Sequence, residues 1–289
     1  MTAPATTAQW TCFSVSIEDG VAHIQLNRPD ALNAMNRAFW NELPAIVRDI
    51  DDNARARCIV ISSTGKHFSA GMDLSVFTDG ESVNPMAQAD RQNAAESFRR
   101  HVHHLQDTFS CLDEARMPVI VAVQGGVIGG AVDMTSACDI RYASADAFFV
   151  IQEINIGMTA DVGTFPRLCK LLPEGWVREL AYTGRAFGAR ECQQLGFVNA
   201  VYPDQDTMLT EVMGIAGQIA ANSPLAVTGC KEMLNYSRDH SVEDSLRYMA
   251  TWQAGMFRPT DMMKSFQAKA QKQTPQYEDL FPVKPLFEQ

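Results

Sequence analysis

A chain of 289 residues, 46% hydrophobic and 20% charged, can bury a core without disulfides or a structural metal. Its 24 basic and 34 acidic residues leave a formal charge of -10. That balance argues against a broad phosphate-backbone surface, and so against nucleic acid as a partner, but not against a local basic pocket for a phosphorylated ligand.

Seven cysteines, odd in number and without a CxxC pair, read as reduced and mostly buried thiols, which places the chain in a reducing cytoplasm. The opening MTAPATTAQW has no basic region and no apolar stretch, so residues 1–12 read as a flexible tail rather than a signal. No 18-residue uncharged apolar run is present, which removes a membrane span. The final FEQ is neither a peroxisomal nor a retention tripeptide.

In chain order, FSVSIEDGVAHIQLNRP predicts two short strands around an Asp19-Gly20 turn, stopped at Pro29. Asn33 is placed to cap the helix carrying Phe39, Leu43, Ile46, Val47 and Ile50 on one face. CIVISSTG predicts a buried strand, and this order points to parallel pairing with helices over the sheet. Thr78 to Asp90 read as a mobile polar loop, followed by a long helix through Phe98, Val102, Leu105, Phe109 and Leu112. VIVAVQGGVIGG predicts a second buried strand and a glycine-rich turn, with a helix over Ala131 to Ala137, and IRYASADAFFV predicts short extended pieces. PEGWVRELAYTG and ARECQQLG read as helices, and FVNAVYP as a short strand. Four helical stretches follow Pro203, the third capped by Ser241 and the fourth opened by Pro259. The expected division is an α/β body over 13–205 and a helical oligomerisation region over 206–289.

Two glycine turns, Ser69-Ala70-Gly71 and Gly125-Gly126 through Gly129-Gly130, each follow a strand. Each is either a tight turn or a place where backbone N–H groups hold an oxygen that gains charge. Neither fits a dinucleotide or P-loop fingerprint. Asp133, Glu153 and Asp161 interrupt apolar stretches. Each caps a helix or pairs with Arg141 or Arg167, or else acts as an acid or base with a raised pKa. His101, His103 and His104 read as a solvated helix face rather than a metal site, and no GxSxG elbow accompanies Ser69. Met72, Met134 and Met158 fill the core or line an apolar channel.

HFSAGMDL, VQGGVIGGAVDMTSACDIRYASADAFFVIQEINIG and LPEGWVRELAYTGRAFGARECQQLGFVNAVYP together resemble the crotonase superfamily, the enoyl-CoA hydratase/isomerase family, over most of residues 13 to 275. The resemblance implies an α/β spiral of ββα units with a C-terminal helical trimerisation region, assembled as a homotrimer or a dimer of trimers. It implies an acyl-CoA substrate whose thioester oxygen is held by the amides of Ala70 and Gly130. It also implies a CoA site near Arg28, Ala31, His67, Ala70, Asp73 and Leu74. No metal, flavin or nicotinamide is required, coenzyme A being part of the substrate.

Typical hydratases of the family carry Glu where Asp133 stands. The set Asp133, Glu153, Asp161, with DAFFV, GMTADVGT and RLCK around it, is similar to that of Δ3,5-Δ2,4-dienoyl-CoA isomerases. Such a resemblance implies proton removal from C2 by Glu153, protonation at C6 by Asp161, and orientation by Asp133, in the degradation of unsaturated fatty acids. Three alternatives remain open: a 2-enoyl-CoA hydratase, a Δ3-Δ2-enoyl-CoA isomerase, and a non-catalytic acyl-CoA-binding or RNA-associated relative.

Overall fold

The structure is a computed structural model and describes residues 10–73, 75–78 and 91–283. A six-stranded sheet runs in the order β1 (Phe13–Glu18), β2 (Val21–Leu26), β3 (Cys58–Ser63), β4 (Val119–Val123), β6 (Ile140–Ser144) and β9 (Ala200–Tyr202). Within it only β1–β2 is antiparallel, joined by Asp19 and Gly20 in left-handed backbone. A smaller sheet holds β5 (Gly126–Ile128), β7 (Phe148–Val150) and β8 (Phe187–Gly188).

The helices of the body are α1 (Arg37–Asp52), α2 (Ser75–Thr78), α3 (Arg91–Glu114), α4 (Gly130–Ala137), α5 (Thr164–Leu171), α6 (Glu174–Thr183) and α7 (Ala189–Gln194). After them come α8 (Gln205–Ala220), α9 (Pro224–Asp239), α10 (Val242–Met256) and α11 (Pro259–Gln271). The chain repeats one unit: a strand in the large sheet, a strand in the small sheet, then helix. β4–β5–α4 and β6–β7–α5 are two such units.

The central strands are buried on both faces, and their side chains alternate between two cores. Ile59, Ile61, Val119, Val121 and Val123 face α1, α3 and α4, where Phe39, Trp40, Phe109 and Met134 complete the larger core. Cys58, Val60, Ile120 and Ala122 face α8, through Met208, Val212, Ala216 and Ala220. So the first helix after Pro203 is packed as part of the sheet's own covering.

Several elements differ from the sequence reading. Asn36, not Asn33, caps α1 by accepting from Phe39 N–H at 3.1 Å. Asn33 instead lies in left-handed backbone, buried, with its amide donating to the carbonyls of Thr64 and His67 and its Oδ1 accepting from Arg28 N–H. α5, β8 and a 3-10 turn over Glu153–Ile156 had no counterpart in the sequence reading, and the glycine-rich stretch contains strand β5. Residues 79–90 of the expected polar loop lie outside the described residues.

α9 is tied to the body by a buried cation. Lys231 Nζ donates to the carbonyls of Leu112 (2.8 Å) and Met117 (3.1 Å) and pairs with Asp139 at 2.9 Å. Asp139 is itself largely desolvated, which pushes its carboxyl pKa up, and Lys231 draws it back. Lys231→Met leaves that half-buried carboxylate without its cation, holding only the Val119 N–H bond, and is expected to cost about 2–4 kcal/mol. Lys231→Met with Asp139→Asn should recover part of the loss. Urea melts of the four proteins at one fixed concentration check this.

Candidate active site

The site forms where three backbone segments press together. Ser69 bridges to Val127, with Ser69 N–H donating to Gly126 carbonyl (3.2 Å) and Ile128 N–H to Ser69 carbonyl (3.1 Å). Met35 bridges to Met72 on the other side. Between them Gly71 has φ +81, and a Cβ there would lie 2.5 Å from the Ile128 carbonyl oxygen. Only glycine allows this approach.

Five of the six residues expected near coenzyme A lie on two facing segments. Arg28, Ala31 and Leu32 share the loop before α1, and His67, Ala70 and Asp73 share the facing turn. Asn33 links the two through its bond to the His67 carbonyl. Arg28 donates to Ala34 carbonyl at 2.8 Å and lies close enough to Asp73 to help hold that carboxyl below its usual pKa, after the larger effect of Ser75 N–H. His67 Nδ1 accepts from Gly126 N–H at 2.9 Å, so the ring braces the second glycine turn and its proton sits on Nε2. Leu74 lies outside the described residues.

The two expected oxyanion donors differ in state. Gly130 opens α4, and its N–H meets no protein acceptor among the described residues. Ala70 N–H donates to the Leu32 carbonyl at 3.0 Å, so one of the two donors is already engaged. Leu32 had not been singled out from the sequence. Its left-handed backbone, φ +51, aims the carbonyl there, and no residue pattern announces that.

The three carboxylates converge beside this turn. Glu153, at the start of its 3-10 turn, packs against Gly129: a Cβ on Gly129 would lie 3.2 Å from Glu153 Oε1. Glu153 Oε2 is buried with no hydrogen-bond partner among the described residues. Desolvation, and next the charge of Asp133, push the Glu153 pKa up to about 7. Asp133 is fully buried one turn into α4, and burial lifts it to about 6 against the pull of two hydrogen bonds from Thr164. Asp161 lies at the exposed rim, where partial desolvation still raises its carboxyl. Its carbonyl accepts from Gln106 Nε2 at 2.7 Å, which ties the rim to α3.

Neither Arg141 nor Arg167 pairs directly with these acids. Arg141 bonds the carbonyls of Phe197 and Cys138, and Arg167 pairs with Asp113. Thr164 and Gln106 were not singled out from the sequence. The apolar spacing of Phe165, Leu168 and Leu172 carried the signal for α5, and with it for Thr164 at its start. Met134 is fully buried in the core rather than lining a channel, and the three histidines of α3 are exposed. Among the described residues no cluster of three metal-binding side chains occurs.

Residues 16–280 match the Enoyl-CoA hydratase/isomerase family. The chain belongs to that family. A rat protein named mitochondrial Δ(3,5)-Δ(2,4)-dienoyl-CoA isomerase is 43% identical over 89% of this chain and 78% of its own length. An Arabidopsis thaliana protein named as the peroxisomal form is 38% identical over 91% and 94%. A solved enoyl-CoA hydratase from Bacillus anthracis superposes with a TM-score of 0.81 at 27% identity, over 94% of this chain and 100% of that one. The fold is thus the α/β crotonase type, with repeated ββα units and a C-terminal helical region.

The cytoplasmic assignment is corrected by these relatives, which are named mitochondrial or peroxisomal. Reduced thiols report a reducing environment and do not distinguish one such compartment from another.

An acid whose pKa is raised on folding costs stability once it ionises. Folded Glu153 keeps a proton that the unfolded chain releases near 4.5, so stability falls as pH rises from about 4.5 through 7. Glu153→Gln lacks this penalty and should be more stable than the parent by about 2–3 kcal/mol at pH 8, with a much smaller difference at pH 4. Denaturant melts at the two pH values check the crossover.

Proposed function

We propose that this protein isomerises 3,5-dienoyl-CoA to 2,4-dienoyl-CoA, within the degradation of unsaturated fatty acids. The observation that carries the reading is the convergence of Asp133, Glu153 and Asp161 on the turn that presents the Gly130 N–H. The names of the rat and Arabidopsis relatives agree with it.

In this reading Glu153 is the base. Its Oε2 has no partner among the described residues, and its pKa is raised to about 7, close to the pH at which it would work. It removes a proton from C2, and the electron pair spreads onto the thioester oxygen and along the diene to C6. Gly130 N–H holds that oxygen, joined by Ala70 N–H once the substrate oxygen has replaced the Leu32 carbonyl. Asp161, whose raised pKa favours the acid form, delivers a proton to C6. Exchange with solvent then restores both carboxyls, and no oxidant or reductant is consumed. Arg28, Ala31, His67 and Asp73 border the CoA moiety.

The test is incubation of a 3,5-dienoyl-CoA in deuterated buffer, with the thioester recovered for mass spectrometry and NMR. Glu153→Gln should lose both product and exchange at C2. Asp161→Asn should lose most product yet keep C2 exchange, because the dienolate forms and returns. Normal product from Asp161→Asn, or normal C2 exchange in Glu153→Gln, would put the chemistry elsewhere.

We also propose that α9–α11 form a subunit interface in a homotrimer or a dimer of trimers. Leu246, Met249, Met256, Met262, Met263 and Phe266 are exposed there, which favours burial against another copy. No described helix is long and apolar enough to cross a membrane. Light scattering at micromolar concentration should give a mass that is a multiple of three protomers, and a monomer would refute the interface.

A further inference from the structure

Asp133 is the most constrained of the three carboxylates, and one residue supplies the constraint. Its Oδ1 accepts from Thr164 N–H at 2.6 Å and from Thr164 Oγ1 at 2.7 Å. Thr164 is fully buried and stands at the first position of α5, so the helix dipole adds positive potential at the same oxygen. Oδ2 has no protein donor among the described residues. A carboxylate pinned twice on one oxygen cannot rotate freely, and donors on both sides of one lone-pair region favour its ionised form.

The charged surroundings come from several elements. Arg167, one turn along α5, favours the charge on Asp133 and is itself held by Asp113 and Ser110 of α3. Asp161, on the segment before α5, opposes that charge. Glu153, after β7, gains proton affinity from the Asp133 charge. The state of Asp133 therefore bears on the strength of the neighbouring base.

We propose that Thr164 is a positioning residue, which fixes Asp133 as an oriented, ionised acceptor and thereby keeps the proton of the pair on Glu153 rather than on Asp133. With the Thr164 hydroxyl removed, Asp133 loses one of two charge-assisted bonds and becomes the better proton acceptor. The proton that Glu153 holds near neutrality then moves to Asp133. Glu153 stays ionised to lower pH but is a weaker base, because the adjacent charge has gone. The kinetic part of this inference rests on the isomerase reading; the titration part does not.

The test compares Thr164→Val, Thr164→Ala and Thr164→Ser with the parent enzyme. Infrared difference spectra of ligand-free protein, with the Asp133 carboxyl band assigned by its loss in Asp133→Asn, give the Asp133 midpoint without any substrate. That midpoint should rise by about one unit or more in the Val and Ala variants and return to the parent value in Ser. With 3,5-dienoyl-CoA, Val should lower kcat about tenfold with KM within about twofold, move the acid limb of kcat to lower pH, and be rescued by Ser. In an Asp133→Asn background, Thr164→Val should change kcat less than about twofold. An unmoved Asp133 midpoint in whichever of Val and Ala folds, or an undiminished effect of Val on Asp133→Asn, overturns the inference. Failure of the parent enzyme to make 2,4-dienoyl-CoA overturns the isomerase reading instead and leaves the midpoint shift as the deciding measurement.

Discussion

The close approach of two backbone turns is the constraint on which the site depends. The turn after β3 and the turn around β5 come from separate ββα units, yet they exchange hydrogen bonds through Ser69 as if in one sheet. That contact fixes where α4 begins. The start of α4 places the Gly130 N–H and, one turn later, Asp133. It also sets Gly129 with φ +53, a left-handed conformation suited to glycine, and a Cβ there would press on the Glu153 carboxylate at 3.2 Å. The large parallel sheet supports this by holding β3 and β4 in register from Ile59 with Val119 to Ile61 with Val121.

Three acids gathered in one place oppose one another, and the fold handles each differently. Asp133 is buried deepest and takes two hydrogen bonds on one oxygen, both from Thr164. Glu153 is given none on Oε2 and so shifts furthest toward neutrality. Asp161 stays at the rim, where water moderates its charge. Unlike environments for like groups are what divide acid from base. The opposing electrostatic cost is borne by a sheet packed on both faces, and by helices tied down through buried polar links such as that of Lys231.

Much of the fold was legible because its strands and long helices carry strong periodicity. Phe109 and Leu112 are buried where the spacing put them, and Ser241 caps α10 by accepting from Asp244 N–H. What escaped was set by long-range contact. Asn33 had the residue type of a cap, but its side chain satisfies carbonyls 31 and 34 residues away in sequence. β8 is two residues long and exists only because β7 lies beside it. At the site, the acids were visible as charges in apolar stretches, while their convergence came from family resemblance rather than from spacing. Thr164 was within reach only as the first residue of α5, while its bond to Asp133 and the Leu32 carbonyl's bond to Ala70 follow from where the tertiary fold puts them.

The Leu32 carbonyl also bears on how an oxyanion site could discriminate. It keeps the Ala70 N–H hydrogen-bonded, so this donor is not left unsatisfied. On the proposed mechanism a neutral thioester oxygen would replace a neutral amide oxygen at that donor. Exchanging one neutral acceptor for another changes the free energy little, and an amide carbonyl is the better acceptor of the two. The balance reverses as the proton leaves C2. The substrate oxygen then carries charge, and charge-assisted hydrogen bonds are roughly twice as strong as neutral ones. Ala70 would thus add little to substrate binding and much to the dienolate, which is the condition for an interaction to raise kcat rather than merely lower KM. Gly130, with no competing acceptor among the described residues, would contribute to both. A site with one occupied and one open donor therefore separates holding the thioester from stabilising its enolate.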